Sequence, residues 1–140
     1  MPTVSASKFN CFVADVGLKK HDFSADTLKV MLTNVAPVAT NTVLANLTDL
    51  STANGYTAGG AACTAVTYSQ TSGTAKLVAT GPVWTATGAI GPFRYAVLYN
   101  STYSGGPLIE WADYGSAVTM ANNDTFTVVF DATNGVLTLA

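Results

Sequence analysis

The chain carries one histidine, His21, and two cysteines, Cys11 and Cys63. A Cys11–His21 dyad is the simplest nucleophilic arrangement these residues permit. It would need the thiol within hydrogen-bond reach of the imidazole and a third group to orient the ring. Asp22 is adjacent to His21 in sequence, which is poor geometry for that role, so His21 reads as a polar turn residue. Serine chemistry has no better footing. Tyr114-Gly115-Ser116-Ala117-Val118 lacks the second glycine of a nucleophile elbow, and no histidine follows it. Glu110 and Asp113 raise the chemistry of a paired-carboxylate glycosidase. Three residues apart on a strand, they point to opposite faces. Both are therefore expected at solvent or at an interface.

Ligand-binding patterns are equally sparse. Cys11 and Cys63 have no metal-ligand spacing and no histidine pair nearby. They read as small buried hydrophobes in a chain made in a reducing cytosol, and a disulfide between them is left open by the sequence. Asp15, Asp22 and Asp26 do not follow the tight alternation of a calcium loop. Asn122-Asn123-Asp124 reads as a turn. The glycine-rich stretch Asn54-Gly55-Tyr56-Thr57-Ala58-Gly59-Gly60 lacks the Gly-Lys-Ser/Thr ending of a phosphate loop and reads as a turn with positive φ angles. Trp84, Trp111 and the six tyrosines could form a sugar-stacking platform, but aromatics more commonly fill a β core. No residue is thus assigned a catalytic, cofactor-binding or metal-ligating role, and no enzymatic activity is expected.

The elements that would hold these residues are short alternating runs separated by Gly, Asn, Asp and Pro. Residues 9–18 read as a strand covered on both faces, with Phe12, Ala14, Val16 and Leu18 on one side and Phe9, Cys11 and Val13 on the other. Leu28, Val30 and Leu32 alternate with polar residues as a half-buried strand. Residues 41–51 are the one helix candidate, from Val43, Leu44, Leu47 and Leu50 at helical spacing with Asn41 or Thr42 as cap. A hairpin is expected over residues 64–79, turning at Thr71-Ser72-Gly73. Residues 82–86 form a short strand, and residues 93–99, aromatic and β-branched, form the strongest one. Further strands follow at 108–112, 118–120 and 126–130. Asn134-Gly135 signals a two-residue hairpin into residues 136–139.

Eight or nine such strands with evenly spaced turns predict an all-β protein: an antiparallel β-sandwich, jelly-roll-like, with one short helix. The 140 residues suit a single domain over 1–140 with a short extended N-terminal segment. Charged residues are only 10% of the chain, against about 25% in a typical soluble domain. Six Lys and Arg against eight Asp and Glu, a net charge of −2, cannot build a basic stripe, which excludes nucleic-acid binding through phosphates. No apolar run reaches the length of a membrane span, and the N-terminus has no signal-peptide pattern. The Asn-x-Ser/Thr matches at Asn46, Asn100 and Asn123 read as turn residues. Few charges must be desolvated when such a surface meets a partner, which suits permanent association better than turnover.

Five stretches carry a family resemblance: Lys8-Phe9-Asn10-Cys11-Phe12-Val13-Ala14-Asp15, residues 26–34, residues 54–60, Gly91-Pro92-Phe93-Arg94-Tyr95-Ala96-Val97-Leu98-Tyr99, and Trp111-Ala112-Asp113-Tyr114-Gly115. Together they resemble small virion structural proteins of tailed bacteriophages. The resemblance implies a head decoration, or cement, role on the capsid surface after synthesis in the host cytoplasm. The implied partners are the major capsid protein and further copies of the chain, as a small oligomer such as a trimer. A host-attachment or carbohydrate-binding module of the virion is the alternative, with Trp84, Trp111 or the tyrosines as stacking surfaces.

Overall fold

Short alternating runs put 47% of the chain in strands and 7% in helix in the computed structural model, which describes residues 4–140. Met1-Pro2-Thr3, the start of the expected extended N-terminal segment, lies outside the described residues. The strands are β1 (Ala6–Lys8), β2 (Leu28–Thr33), β3 (Ala61–Ala62), β4 (Thr64–Thr71), β5 (Thr74–Thr80), β6 (Val83–Thr85), β7 (Ile90–Asn100), β8 (Leu108–Met120), β9 (Thr125–Thr127) and β10 (Leu137–Leu139). All pairings are antiparallel and fall into three sheets, ordered β1-β8-β7-β2-β3, β10-β5-β4 and β6-β9.

The long β7–β8 pair is the backbone of the fold. Residues 108–112 and 118–120, expected as separate strands, belong to one thirteen-residue strand. Its register against β7 shifts three times, so the pair bends without breaking. The five-stranded sheet is covered on both faces near its centre. Val30, Leu32 and Leu98 face the main core with Phe12, Phe93 and Leu77, while Met31, Val97 and Tyr99 face a smaller cluster with Phe9 and Leu108. The expectation of a half-buried strand at 28–33 is therefore corrected: β2 is buried on both sides.

Three other expectations are overturned. Residues 9–18 are not a strand; β1 ends at Lys8, and Cys11–Gly17 form a helix, α1. Phe12, Asp15 and Val16 lie three and four residues apart on its inner face, whereas Val13 and Leu18 are exposed. Residues 41–51 are not a helix beyond a single 3₁₀ turn at Leu44–Asn46. The Asn46 side chain accepts hydrogen bonds from the Thr42 and Val43 amides, and Leu44 N–H donates to the Gly105 and Gly106 carbonyls. Polar side chains that bond locally here displace the helix. Leu44 and Leu47 instead pack against the smaller cluster. Finally, Asn134-Gly135 does not make a hairpin. Asp131 accepts the Thr133 and Asn134 amides to close the turn, and β10 leaves to pair with β5. The run at 126–130 is strand only through Thr127.

The 64–79 hairpin, the strand at 82–86 and the strand at 93–99 lie where the alternation predicts. No helix among the described residues is long and apolar enough to cross a membrane.

Candidate functional site

Cys11 and His21, the nucleophile and base the sequence offers, lie at and beside α1 but are otherwise engaged. Asp15 is buried and pairs with Lys20 at 2.9 Å. The Cys11 thiol points at three backbone carbonyls, the nearest that of Leu108 at 3.6 Å. Burial, then the carboxylate of Asp15, raises its pKa above the ordinary value, so the thiolate is disfavoured. His21 stacks on Phe23, with ring centroids 5.5 Å apart, and its Nδ1 lies 3.3 Å from the Asn100 amide nitrogen. The other ring nitrogen, Nε2, is buried without a partner. Burial lowers the imidazole pKa. This arrangement holds a neutral ring in place; it does not activate Cys11.

Asn100 itself is fully buried. Its amide donates to the Lys20 carbonyl and to Asp26 Oδ2, and its carbonyl oxygen accepts the Thr102 and Tyr103 amides. It ties β7 to the His21 turn, a heavier structural role than the turn reading allowed. Asp22 and Asp26 are spent on local bonds: Asp22 accepts from Ser24, and Asp26 accepts the Asp22 amide. Among the described residues no group of three His, Cys, Asp or Glu side chains could hold a metal ion. Asn122-Asn123-Asp124 is a turn closed by Asp124 on the Ala121 amide.

The glycine-rich loop is filled by its own chain. The Asp49 carboxylate accepts the Gly59 amide and the Tyr56 hydroxyl, the position an anionic ligand would need. The Tyr56 hydroxyl also accepts the Leu32 amide, and the Tyr99 hydroxyl donates to the Gly59 carbonyl. Gly60, with φ of +80°, lies so close to β2 that a Cβ would sit 1.8 Å from the Val30 oxygen. The loop is a clasp on the sheet. Trp84 is 4% exposed, between Tyr56 and Phe126. Trp111 packs on Phe9 at 4.5 Å. Cys11 and Cys63 are not joined, and burial pushes the Cys63 thiol up to about 12. Ser116 follows a bend in β8 in which Asp113 accepts the Gly115 amide.

Glu110 and Asp113 diverge, as residues three apart on a strand should. Asp113 forms a bidentate pair with Arg94 at 2.7 and 2.9 Å, and the guanidinium holds its carboxyl below the usual range. Glu110, expected at solvent or at an interface, is largely buried as a residue and forms no ion pair. It is 7% exposed and has no hydrogen-bond or ionic partner among the described residues. Desolvation raises its pKa to about 7.

Glu110 opens into a groove of about 700 Å³. Register explains the space. Ala6, Ala112, Ala96 and Leu32 lie side by side across four strands, and the next row on the same face runs through Glu110, Leu98 and Val30. Three alanines in one row leave the floor low. Phe126 to Asp131 and Gly135-Val136 form the opposite wall. Sequence reasoning missed this site. Its one visible trace is a carboxylate inside the apolar run Leu108-Ile109-Glu110-Trp111-Ala112.

Comparison of the chain with models of known families, with curated proteins and with solved structures finds no match.

Proposed function

We propose that the chain is a non-enzymatic structural protein of a bacteriophage virion, a head decoration or cement protein that binds and stabilises the outer capsid surface. Its partners on this reading are the major capsid protein and further copies of itself, as a small oligomer such as a trimer. The five-stranded sheet and the smaller sheets that share its core would serve as the layers of a β-sandwich subunit, jelly-roll-like in plan.

The observation that carries the reading, beside the family resemblance, is the free edge of β4. Every other edge strand has two or three residues, a standard way of blunting an edge. β4 has eight and borders only β5. Its sequence Thr-Ala-Val-Thr-Tyr-Ser-Gln-Thr contains no charge and no proline, and seven of the eight residues are exposed. A long uncharged edge is a template for pairing with another chain. A protein held permanently in an assembly covers such an edge, and several weak contacts made by one oligomer add to a firm attachment.

The test is co-sedimentation of the purified protein with capsids that lack it, together with its mass by light scattering. Thr67→Lys with Ser69→Lys places two charges on the exposed face of β4. The expected outcome is an oligomer that binds capsids at low and high salt, and a folded double variant that is smaller and binds weakly. Protein that stays in the supernatant at both salts and instead binds bacterial surface glycans overturns the decoration reading in favour of host attachment.

A further inference from the structure

We propose that the groove above the alanine row binds a small molecule carrying one protonated amine on an apolar body, with Glu110 as its counter-charge. Three observations converge on this. The cavity of about 700 Å³ lies within the range that small-molecule sites occupy. Its walls are mainly apolar and aromatic, including Phe93, Tyr95, Tyr114, Phe126 and Phe130. Of the two carboxyl groups that line it, Glu110 is more than nine-tenths buried and has no partner among the described residues, whereas Asp131 is exposed.

A buried carboxylate is stable only when paired or protonated. The other charges near the groove do not serve as its partner. Arg94, at one end, is engaged by Asp113. Lys8 is the cross-strand neighbour of Glu110 on β1, but it is exposed and forms no ion pair with it. Asp131, in the opposite wall, repeats the negative sign and is held by Thr133 and Asn134. Tyr95 and Tyr114 can donate hydroxyl protons but bring no positive charge. Where Glu110 is charged, the group that would pair with it is a cation, and the apolar walls favour an apolar body for the rest of the ligand.

The floor also decides between a small molecule and a peptide. It is the face of strands whose backbone groups already pair with one another. An extended peptide laid there would lose water from its own amides and find no backbone partners. A small amine has only its ammonium group to satisfy. This site does not depend on capsid binding, and its test uses no capsid.

The experiment is calorimetric titration of the full-length protein with n-hexylamine, 2-phenylethylamine, n-hexanol and hexanoate at pH 6 and pH 8, with the methyl shifts of Ala96 and Ala112 followed by NMR. The amines should bind, perturb both methyl groups, and bind more tightly at pH 8, where Glu110 is charged and the amines remain protonated. Hexanol and hexanoate should bind at least tenfold more weakly. Glu110→Gln should lower amine affinity by about tenfold to a hundredfold, the scale of a hydrogen bond to a charged group. Ala112→Leu, which fills the floor and keeps the carboxyl, should also abolish binding. Failure of both amines to bind, equal affinity for hexanol, or unchanged affinity in Glu110→Gln would overturn the proposal.

Discussion

Replacing Glu110 by Gln should make the protein more stable at pH 8 and leave its stability at pH 4.5 almost unchanged. Burial moves the Glu110 pKa from its ordinary 4.5 to about 7. The folded state therefore holds a proton between those values that the unfolded state has released. Stability falls with rising pH wherever the folded state binds more protons. The contribution of Glu110 is present in full below 4.5 and is lost as pH rises through 7. At about 1.4 kcal/mol per tenfold change, the loss is about 3 kcal/mol. That is a large share of the roughly 5–15 kcal/mol that keeps a domain folded, and it corresponds to about 10 °C in melting temperature. His21 works in the opposite direction, because its burial lowers the imidazole pKa below 6.5 and stability is lost as pH falls. Asp22, Asp113 and Asp131 have lowered pKa values and act only below their ordinary 3.8. These groups are present in both proteins and cancel in the difference. Urea unfolding of the wild type and Glu110→Gln at half-unit steps from pH 4 to 8 isolates that difference. It should be near zero at the acid end and grow to about 3 kcal/mol at pH 8. Parallel curves across the whole range would show that the Glu110 carboxylate is solvated or paired, and the reasoning would fail.

Two substitutions test the clasp formed by residues 49–60. Gly60→Ala should cost more than about 4 kcal/mol or prevent folding, because the new Cβ meets β2 backbone. Gly73→Ala has a similar φ of +83° but open space around it, and should cost only about 1 kcal/mol in the same thermal melt. Tyr56→Phe removes the hydroxyl that accepts the Leu32 amide, and by leaving that buried N–H unpaired it should destabilise by about 1–3 kcal/mol in urea unfolding. A Tyr56→Phe protein as stable as the wild type would show that this bond holds nothing.

The sequence was most legible where a strand is decided by its own residues. In β7 and in the β4–β5 hairpin, alternation and turn chemistry agree, and the structure follows both. It was least legible where two periods fit one run. Phe12, Ala14 and Val16 alternate as a strand would, but Phe12, Asp15 and Val16 also share a helix face. What chooses between them is the pairing of β1 with β8, which ends at Lys8 and frees the following residues from the sheet. The 41–51 segment failed for the opposite reason. Its leucines are spaced for a helix, but their burial comes from docking beside β8, and Asn46 bonds to the chain just before it. The groove could not be read locally, because its floor is made by Ala6, Ala96 and Ala112, one from each of three strands. Each alanine alone is unremarked in the sequence; only the register brings them together.

The groove also stands apart from the rest of the core in how its polar group is treated. Four polar or charged side chains are buried: Asp15, Thr33, Asn100 and Glu110. Asp15 pairs with Lys20, Thr33 accepts the Val35 amide, and Asn100 bonds to both neighbouring turns. Of these four, Glu110 is the one with no hydrogen-bond or ionic partner among the described residues; beyond these four, His21 Nε2 is also buried and unpaired. Stability by itself would favour leucine at position 110, beside Leu98 and Val30 in the same row. It would also favour larger side chains than alanine in the next row, where the cavity now lies. Two departures from the most stable packing thus meet at one place, an unpaired carboxyl and the space in front of it. Local choices that disagree with the rest of a core are expected at functional sites. A carboxyl alone would suggest a packing fault, and a cavity alone would suggest a soft spot. Their coincidence on one face of the sheet is what makes Glu110 the residue to change first.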